Sequence, residues 1–272
     1  MKEKRKRTRH NFIKDDFELI SFGFPGTEDI HIYVIGDVHC GSAEFAEAEF
    51  RAYIRHILSD PTGYCVLVGD LIDNGTKSSK TSVYEEVLTP CEQIEEISLL
   101  LKPLADAGRI LCTVEGNHER RTRSDAGTDA GLQIADNLGI RNVYRRRLAV
   151  VQIRTGTESP SHSSRFCYYL AVTHGAGAGN SIKKELDYVN SFEGADVLVT
   201  GHTHKPKVVP SVVKRIDRNK VKIEDAQKYA ITCSSWLHYG GYGVEKMYSP
   251  TPSCVRQMIT LGGKTRSIKV LM

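Results

Sequence analysis

Five short segments of the sequence carry side chains that commonly bind metal ions, and each segment follows an apolar run. The segments are Gly36-Asp37-Val38-His39, Gly69-Asp70-Leu71-Ile72-Asp73, Glu115-Gly116-Asn117-His118-Glu119, His174-Gly175 and Gly201-His202-Thr203-His204. Carboxylate, imidazole and amide oxygen groups are ligands for Mn²⁺, Fe, Zn²⁺ and similar ions. One such motif alone is weak, because a lone histidine at a strand end is usually a surface residue or a satisfied core residue. Five motifs in this order favour a metal centre over that explanation.

The number of candidate ligands indicates two ions, since seven side chains are too many for one tetrahedral zinc. They are Asp37, His39, Asp70, Asn117, His174, His202 and His204. Such a set suits two ions about 3.5–4 Å apart that share a bridging carboxylate, the arrangement used in two-metal phosphoryl hydrolysis. Asp37/His39 and His202/His204 are i, i+2 pairs, whose members point to one side of an extended segment. We therefore expect each pair to bind one site together.

Apolar strands must position these motifs, because ligands bind at the carboxyl ends of strands in α/β sheets. Buried strands are predicted at 30–35, 64–68, 109–114, 166–173 and 196–200, and a further strand at 143–153. Helical spacing of apolar residues predicts helices over 44–58, 130–138 and near 181–192. The first two thirds of the chain therefore have an α/β pattern.

Another helix is predicted to begin after Thr89, which can cap it, with Pro90 at the first position and Glu92 completing a capping box. We expect Pro103 to end this helix. The last 60 residues alternate, carry turn residues and have no convincing helical pattern, and Leu261-Gly262-Gly263-Lys264 predicts a hairpin. No repeat or internal boundary is present, so residues 13–272 are predicted to form a single domain.

Composition excludes several classes of protein. The 272 residues are 40% apolar and 26% charged, which is enough for a sizeable core and excludes a disordered chain. No apolar run reaches about 18 residues, so no membrane span is predicted. The charged first residues are not followed by the apolar stretch of a secretory signal. Seven scattered cysteines without a CxxC pair argue against disulfides or a cysteine zinc site and favour a cytoplasmic location.

The net charge of +4 is concentrated in the first ten residues, which hold six Lys/Arg and one Glu. Their local charge is +5, so the other 262 residues sum to −1. We expect residues 1–12 to be a disordered basic tail. Such a tail either binds nucleic acid or another acidic surface, or is solvated and binds nothing specific.

In its five motifs the sequence resembles the calcineurin-like metallophosphoesterases, whose signature is DxH, GDxxD, GNH(D/E), a His and GHxH. The match spans residues 37–204 and therefore covers most of the chain. The resemblance implies a four-layer αββα sandwich of two mixed β-sheets flanked by helices, with residues 205–272 supplying late strands. It also implies a hydrolase with two divalent metal ions, Mn²⁺ being the first candidate and Fe, Zn²⁺, Ni²⁺ or Co²⁺ the alternatives.

The resemblance also implies a role for each motif residue. The first metal ion would be held by Asp37, His39 and His204, and the second by Asn117, His174 and His202, with Asp70 bridging both. A hydroxide bridging the ions would attack phosphorus in line. His118 would contact the phosphate or protonate the leaving oxygen, and Asp73 would orient His118 or only stabilise its turn. For Glu119 a structural role is expected.

The expected substrate is a phosphodiester of a nucleotide or nucleic acid. Ser/Thr protein phosphatases share GDVHCG, GDLIDNG, GNHE and HG with this chain, but they have phosphate-clamping arginines after GDxxD and before GNH. Asn74 and Glu115 stand at those two positions here, and the paired GHTH is more typical of nucleases and phosphodiesterases. A phosphomonoesterase or Ser/Thr-type protein phosphatase is the alternative. A non-catalytic nucleic-acid-binding scaffold is disfavoured, because such members usually lose metal ligands. No membrane partner is expected, and protein partners are unknown.

Two further groups of residues are candidates for substrate contact. The arginines that follow GNHE either replace the absent clamp or form a solvated basic loop; they are Arg120, Arg121 and Arg123. The segment 236–249 is rich in glycine and aromatics, which either stack on a base or pack a sheet edge or turn. Its aromatic residues are Trp236, Tyr239, Tyr242 and Tyr248.

Overall fold

The structure is a computed structural model that describes residues 18–76, 79, 86–158, 163–176, 187–188, 190–217, 222–245 and 247–272. The predicted basic tail at 1–12 lies outside the described residues, and so does most of the helix predicted near 181–192. No helix within these ranges is long and apolar enough to cross a membrane.

Strands and helices alternate between residues 30 and 145, and the described elements after that are mostly strands. The strands are β1 Ile20–Pro25, β2 Ile30–Ile35, β3 Gly63–Leu67, β4 Ile110–Val114, β5 Tyr144–Arg145, β6 Leu148–Glu158, β7 Ser163–Thr173, β8 Val197–Thr200, β9 Lys207–Asp217, β10 Lys222–Thr232, β11 Met258–Leu261 and β12 Ile268–Leu271. The helices are α1 Glu47–Ser59, α2 Pro90–Asp106, α3 Asn117–Ala126, α4 Ala130–Asn137 and α5 Gly241–Glu245, with a 3₁₀ turn at Arg141–Val143. The five strands predicted to carry the motifs are β2, β3, β4, β7 and β8.

The strands form two mixed six-stranded sheets. One sheet has the order β1-β6-β7-β8-β10-β9, in which β7, β8 and β10 run parallel. The other has the order β12-β11-β2-β3-β4-β5, in which β2 to β5 run parallel and β11 is antiparallel to β2. One hydrophobic core contains side chains from both sheets, among them Leu67 and Val151. The predicted fold, two mixed sheets flanked by helices, is confirmed.

Helix α1 packs its apolar face on an aromatic cluster that includes a residue from near the end of the chain. Phe50 and Tyr53 are buried on this face, and the Trp236 ring centroid lies 5.2 Å from that of Phe50 and 5.0 Å from that of Tyr53. Only 1% of Trp236 is exposed. Trp236 therefore belongs to the core, and its interpretation as a base-stacking residue is wrong.

Helix α2 begins as predicted but ends later than expected. Thr89 accepts a hydrogen bond from the Glu92 N–H, and the Glu92 side chain binds the Thr89 backbone, which completes the capping box. Pro103 lies inside the helix, which continues to Asp106. A proline removes one helical hydrogen bond. Leu101 and Leu104 are buried on either side of Pro103, and their burial stabilises the helix beyond the proline.

Residues after 205 complete both sheets, as expected from the family resemblance. Strands β9 and β10 form a long antiparallel hairpin, and β11 and β12 form the predicted hairpin around Gly262 and Gly263. A side chain at Gly263 would place its Cβ 2.1 Å from the Glu28 carbonyl oxygen, so only glycine fits. The short helix α5 contradicts the expectation that this region contains no helix.

Candidate metal centre

All five motifs meet where the carboxyl ends of strands from the two sheets come together. The motifs after β2, β3 and β4 come from one sheet, and those after β7 and β8 from the other. The His202 N–H donates to both carboxylate oxygens of Asp37, at 3.0 and 2.9 Å, and so joins the two sheets at this point. Each half of the site is therefore incomplete without the other sheet.

The first group of donors consists of Asp37, His39 and His204. One donor atom from each lies within 4.8 Å of the others. His39 Nε2 and His204 Nε2 are 3.0 Å apart, and His204 Nε2 is 3.8 Å from Asp37 Oδ1. Atoms that offer electron pairs repel one another at this distance unless a proton or a cation lies between them. This group therefore fits a bound divalent cation.

The second group contains Asp70, His174 and His202, whose donor atoms also lie within 4.8 Å of one another. Asn117 adds its Oδ1, which is 3.0 Å from His174 Nε2 and 2.6 Å from His202 Nδ1. The Val68 carbonyl oxygen lies 2.8 Å from His174 Nδ1. Such a contact fixes the imidazole with Nε2 turned towards the group, as outer contacts do for metal-binding histidines.

The backbone at the ligands is left-handed rather than extended. Asp37, His39, Asp70, His202 and His204 have φ between 47° and 73°. His204 lies in the first group and His202 in the second, whereas Asp37 and His39 both lie in the first. The expectation from spacing that His202 and His204 bind one site together is therefore wrong, while the family resemblance places them on different ions, which is the same division. A non-glycine residue in this region costs about 1–3 kcal/mol, and such strain clusters at functional sites.

Charge within the cluster favours the ionised form of Asp70. Burial is the largest single effect and disfavours that form, but the neighbouring histidines, His174 first and then His118 and His39, together hold the pKa of Asp70 well below its usual value. Burial also opposes charge on His174, while the Asp70 carboxylate raises the pKa of His174 to about 9. Burial lowers the pKa of His204 to about 4, which leaves its imidazole neutral and able to donate an electron pair.

Glu119 joins the second and third motifs. It is fully buried in the first turn of α3, and its carboxylate accepts four backbone hydrogen bonds. The donors are the N–H groups of Asp70 at 3.0 Å, Leu71 at 2.6 Å, Ile72 at 3.3 Å and Gly116 at 2.8 Å. These contacts agree with the structural role expected for Glu119.

His118 contacts several groups of this site, among them Asp73 and Arg121. Its Nδ1 lies 2.5 Å from the Asp73 carbonyl oxygen and 3.3 Å from Asp73 Oδ1. An Arg121 guanidinium nitrogen lies 2.9 Å from His118 Nε2 and can only donate, so Nε2 accepts and Nδ1 carries the proton. Asp73 Oδ1 also lies 3.0 Å from His39 Nδ1, a contact that is not predicted from the sequence.

The three arginines after GNHE have different environments. Arg121 contacts His118 and donates to the Asp73 carbonyl oxygen at 2.8 Å. Arg123 binds Glu115 at 2.6 Å, and Arg120 is exposed. Burial raises the pKa of Glu115 to about 7 despite this ion pair. Of the three, Arg121 is the one that contacts His118.

Cys233 contacts the site but is not among the residues predicted from the sequence. Its buried thiol donates to Asp37 Oδ2 at 3.2 Å. The thiol packs against Gly36 and Gly201, where added Cβ atoms would lie 2.8 and 3.2 Å from the sulfur. Cys233 follows β10 directly, just as the motifs follow their strands. This position after an apolar run is the feature of the sequence from which its place at the site could have been predicted.

Comparison with known proteins gives one family and several distant relatives. The calcineurin-like phosphoesterase family profile matches residues 30–206, which contain all five motifs. A DNA polymerase II small subunit from Thermoplasma acidophilum is 25% identical over 205 residues. The alignment covers 65% of this chain, and the chain spans 42% of the length of that relative.

Two solved structures are similar in fold. Calcineurin-like phosphoesterase YfkN from Bacillus subtilis has 14% sequence identity and a TM-score of 0.41, with 89% of this chain and 88% of that chain covered. Nuclease MPE from Pseudomonas putida also has 14% identity, with a TM-score of 0.31, 88% of this chain and 87% of that chain.

Replacing Glu119 by Gln should destabilise the protein by about 3 kcal/mol, because a buried amide group would then face backbone N–H donors. The free energy of unfolding, measured by urea denaturation, tests this. Glu95→Gln is the matched control, since Glu95 is exposed on α2. Equal stability of the two variants would contradict the role given to Glu119.

Replacing Cys233 by Ala should weaken metal binding about 10- to 100-fold, as loss of a hydrogen bond to a ligand does, and Cys233→Ser should retain it. Competition with a chromophoric chelator measures the affinity. Cys112→Ala is the control. Cys112 is buried in β4, so this substitution also removes one buried sulfur atom, but away from the metal ligands. The role of Cys233 would be wrong if both alanine variants lost affinity equally.

Proposed function

The chain belongs to the calcineurin-like phosphoesterase family, and we propose that it is a phosphodiesterase that uses two divalent metal ions and acts on a nucleotide or nucleic acid. Family membership supports a metal-dependent phosphoesterase. Preference for a diester is the proposed part. The main support for diester preference is the environment of Asn74 and Glu115.

Asn74 and Glu115 offer no positive charge to a phosphate. The Asn74 amide donates to the His118 carbonyl oxygen at 2.5 Å, and Asn74 is fully buried. Glu115 is 2% exposed and is paired with Arg123. A phosphomonoester carries up to two negative charges near neutral pH, whereas a diester carries one. A site without the two clamping arginines therefore favours the diester.

The proposed ligands are those that the structure groups. One ion would be held by Asp37, His39 and His204, and the other by Asn117, His174 and His202. Asp70 lies in the second group and is proposed to bridge both ions, as the family resemblance implies. When bound, divalent cations neutralise phosphate charge and lower the pKa of a water ligand, which makes a nucleophile available at neutral pH. Oxygen and nitrogen donors accept several metals, and Mn²⁺ is the proposed one.

His118 and Arg121 are the proposed residues for the phosphate and the leaving group. Asp73 holds His118 through Nδ1, and Nε2 accepts from Arg121 in this structure. Once Nε2 is protonated and Arg121 has turned to the phosphate, Nε2 would protonate the leaving oxygen as a general acid. Arg121 contacts that nitrogen in this structure and is within reach of a phosphate oxygen bound there. Asp73 would act through His118 and His39 as a positioning residue.

A nucleotide or nucleic-acid substrate is supported by the similarity to a DNA polymerase small subunit. The basic tail at residues 1–12 would add electrostatic attraction to such a substrate. All seven cysteines are free, and four of them are buried, which supports a cytoplasmic location. Phosphomonoesterase activity is the second candidate, because GDLIDNG and GNHE also resemble the protein phosphatases and Arg121 supplies one cation at the site.

With Mn²⁺ present, kcat/KM should be higher for methyl p-nitrophenyl phosphate, a diester, than for p-nitrophenyl phosphate, a monoester with the same leaving group. A chelator should abolish turnover, and added Mn²⁺ should restore it, because the metal ions would supply the activated water and neutralise the phosphate charge. Asp70→Asn is the metal-deficient control. Preference for the monoester would overturn the diesterase assignment, and chelator-insensitive turnover would overturn the metal mechanism.

His118→Asn should lower kcat by about 10²- to 10⁴-fold, the usual contribution of a general acid, while metal content is unchanged. Turnover of the diester and elemental analysis of the purified protein measure the two effects. His56→Asn is the control, because His56 lies on α1 beside Tyr33. Unchanged turnover in His118→Asn would exclude the proposed role of His118.

A further inference from the structure

The segment from Trp236 to Thr251 lies against the first group of metal ligands. The Trp236 N–H donates to the Asp37 carbonyl oxygen at 3.0 Å, and the Thr251 hydroxyl donates to the His204 carbonyl oxygen at 3.3 Å. Both ends of the segment are thus anchored to residues of that group. The segment lies beyond residue 206, outside the part of the chain that matches the family profile.

Among the described side chains between the two anchors, four large apolar ones are exposed. They are Tyr239 at 51%, Val244 at 54%, Met247 at 89% and Tyr248 at 58%, and we call them the aromatic rim. Tyr239 follows Trp236 by three residues, and Tyr248 precedes Thr251 by three. Three Cα–Cα steps span at most about 11 Å, so the Cα atoms of the two tyrosines lie within that distance of the Cα atoms of the anchoring residues Trp236 and Thr251.

Tyr239 is held in place rather than free to rotate. Its hydroxyl donates to the Tyr248 carbonyl oxygen at 2.7 Å. Its ring lies over Gly243, where an added Cβ would be 3.6 Å from the ring. The His238 N–H donates to the Glu44 carbonyl oxygen at 2.9 Å, which ties the same loop to the segment after the first motif. A tethered, half-exposed ring is a preorganised stacking surface, because little side-chain entropy remains to be lost on binding.

We propose that the aromatic rim is a nucleobase-binding subsite, in which Tyr239 stacks on the base of a nucleotide whose phosphate lies at the metal centre. This inference rests on the proposed function, since it names the part of the substrate next to the phosphate. Bases stack on aromatic side chains largely without regard to sequence. An exposed aromatic ring in a segment anchored to the phosphate site matches a ligand that is anionic at one end and flat and aromatic at the other.

The test compares two ligands that share a sugar phosphate and differ in the base. Binding of AMP and of ribose 5-phosphate to the full chain with Mn²⁺ is measured by calorimetry. The wild-type protein should bind AMP about 5- to 100-fold more tightly, the range expected for one stacked base. Tyr239→Ala should remove this difference by weakening AMP alone, and Tyr239→Phe should keep most of it because the ring remains.

Ile223→Ala is the control, since Ile223 is 68% exposed on the hairpin of β9 and β10, at the end of β10 opposite to Cys233. This variant should bind both ligands as the wild type does. Equal affinity of the wild type for both ligands would overturn the subsite. So would a Tyr239→Ala variant that still prefers AMP, or one that binds both ligands more weakly by the same factor. In that case the rim serves another purpose, such as contact with a protein.

The binding measurements test the subsite, and the hydrolysis measurements test the proposed function, so the two can fail independently. A protein that discriminates AMP through Tyr239 but hydrolyses neither p-nitrophenyl ester retains the subsite and loses the proposed activity. A protein that hydrolyses the methyl diester but binds AMP and ribose 5-phosphate equally retains the activity and loses the subsite.

Discussion

The buried carboxylate of Glu119 is the contact on which the candidate site depends. A carboxylate is costly to bury unless its oxygens accept hydrogen bonds. Here four backbone N–H groups supply them, three from the turn that carries Asp70 and one from Gly116, directly before Asn117. These turns are more than 40 residues apart in the chain. One side chain therefore sets the position of two candidate ligands relative to each other.

A second contact closes the site between the sheets. Asp37, after β2, accepts the N–H of His202, after β8, and the thiol of Cys233, after β10. Strand β2 belongs to one sheet, and β8 and β10 to the other. The ligand groups are therefore complete only when the two sheets pack together. In such a protein metal binding and folding stability are coupled, because the unfolded chain does not hold the ligands together.

The distribution of charge points to the metal centre as the main attraction for a phosphate. The net charge of +4 comes from the first ten residues, and the remaining 262 residues sum to −1. At the site, Glu115 neutralises Arg123, and Arg121 is turned towards His118. Two bound divalent cations would contribute more positive charge at the cleft than the arginines do. The basic tail would then have at most an accessory role.

The sequence by itself determines the parts of this protein that depend on neighbours in the chain. Apolar runs such as IHIYVI become strands, Thr89 and Glu92 form the predicted capping box, and the five motifs follow their strands. The tertiary structure decides the rest, because those contacts join distant residues. It brings Cys233 to Asp37 and buries Trp236 against α1. The spacing of residues in the sequence does not predict a left-handed backbone. Nor does it predict the contact between Cys233 and Asp37, which are 196 residues apart.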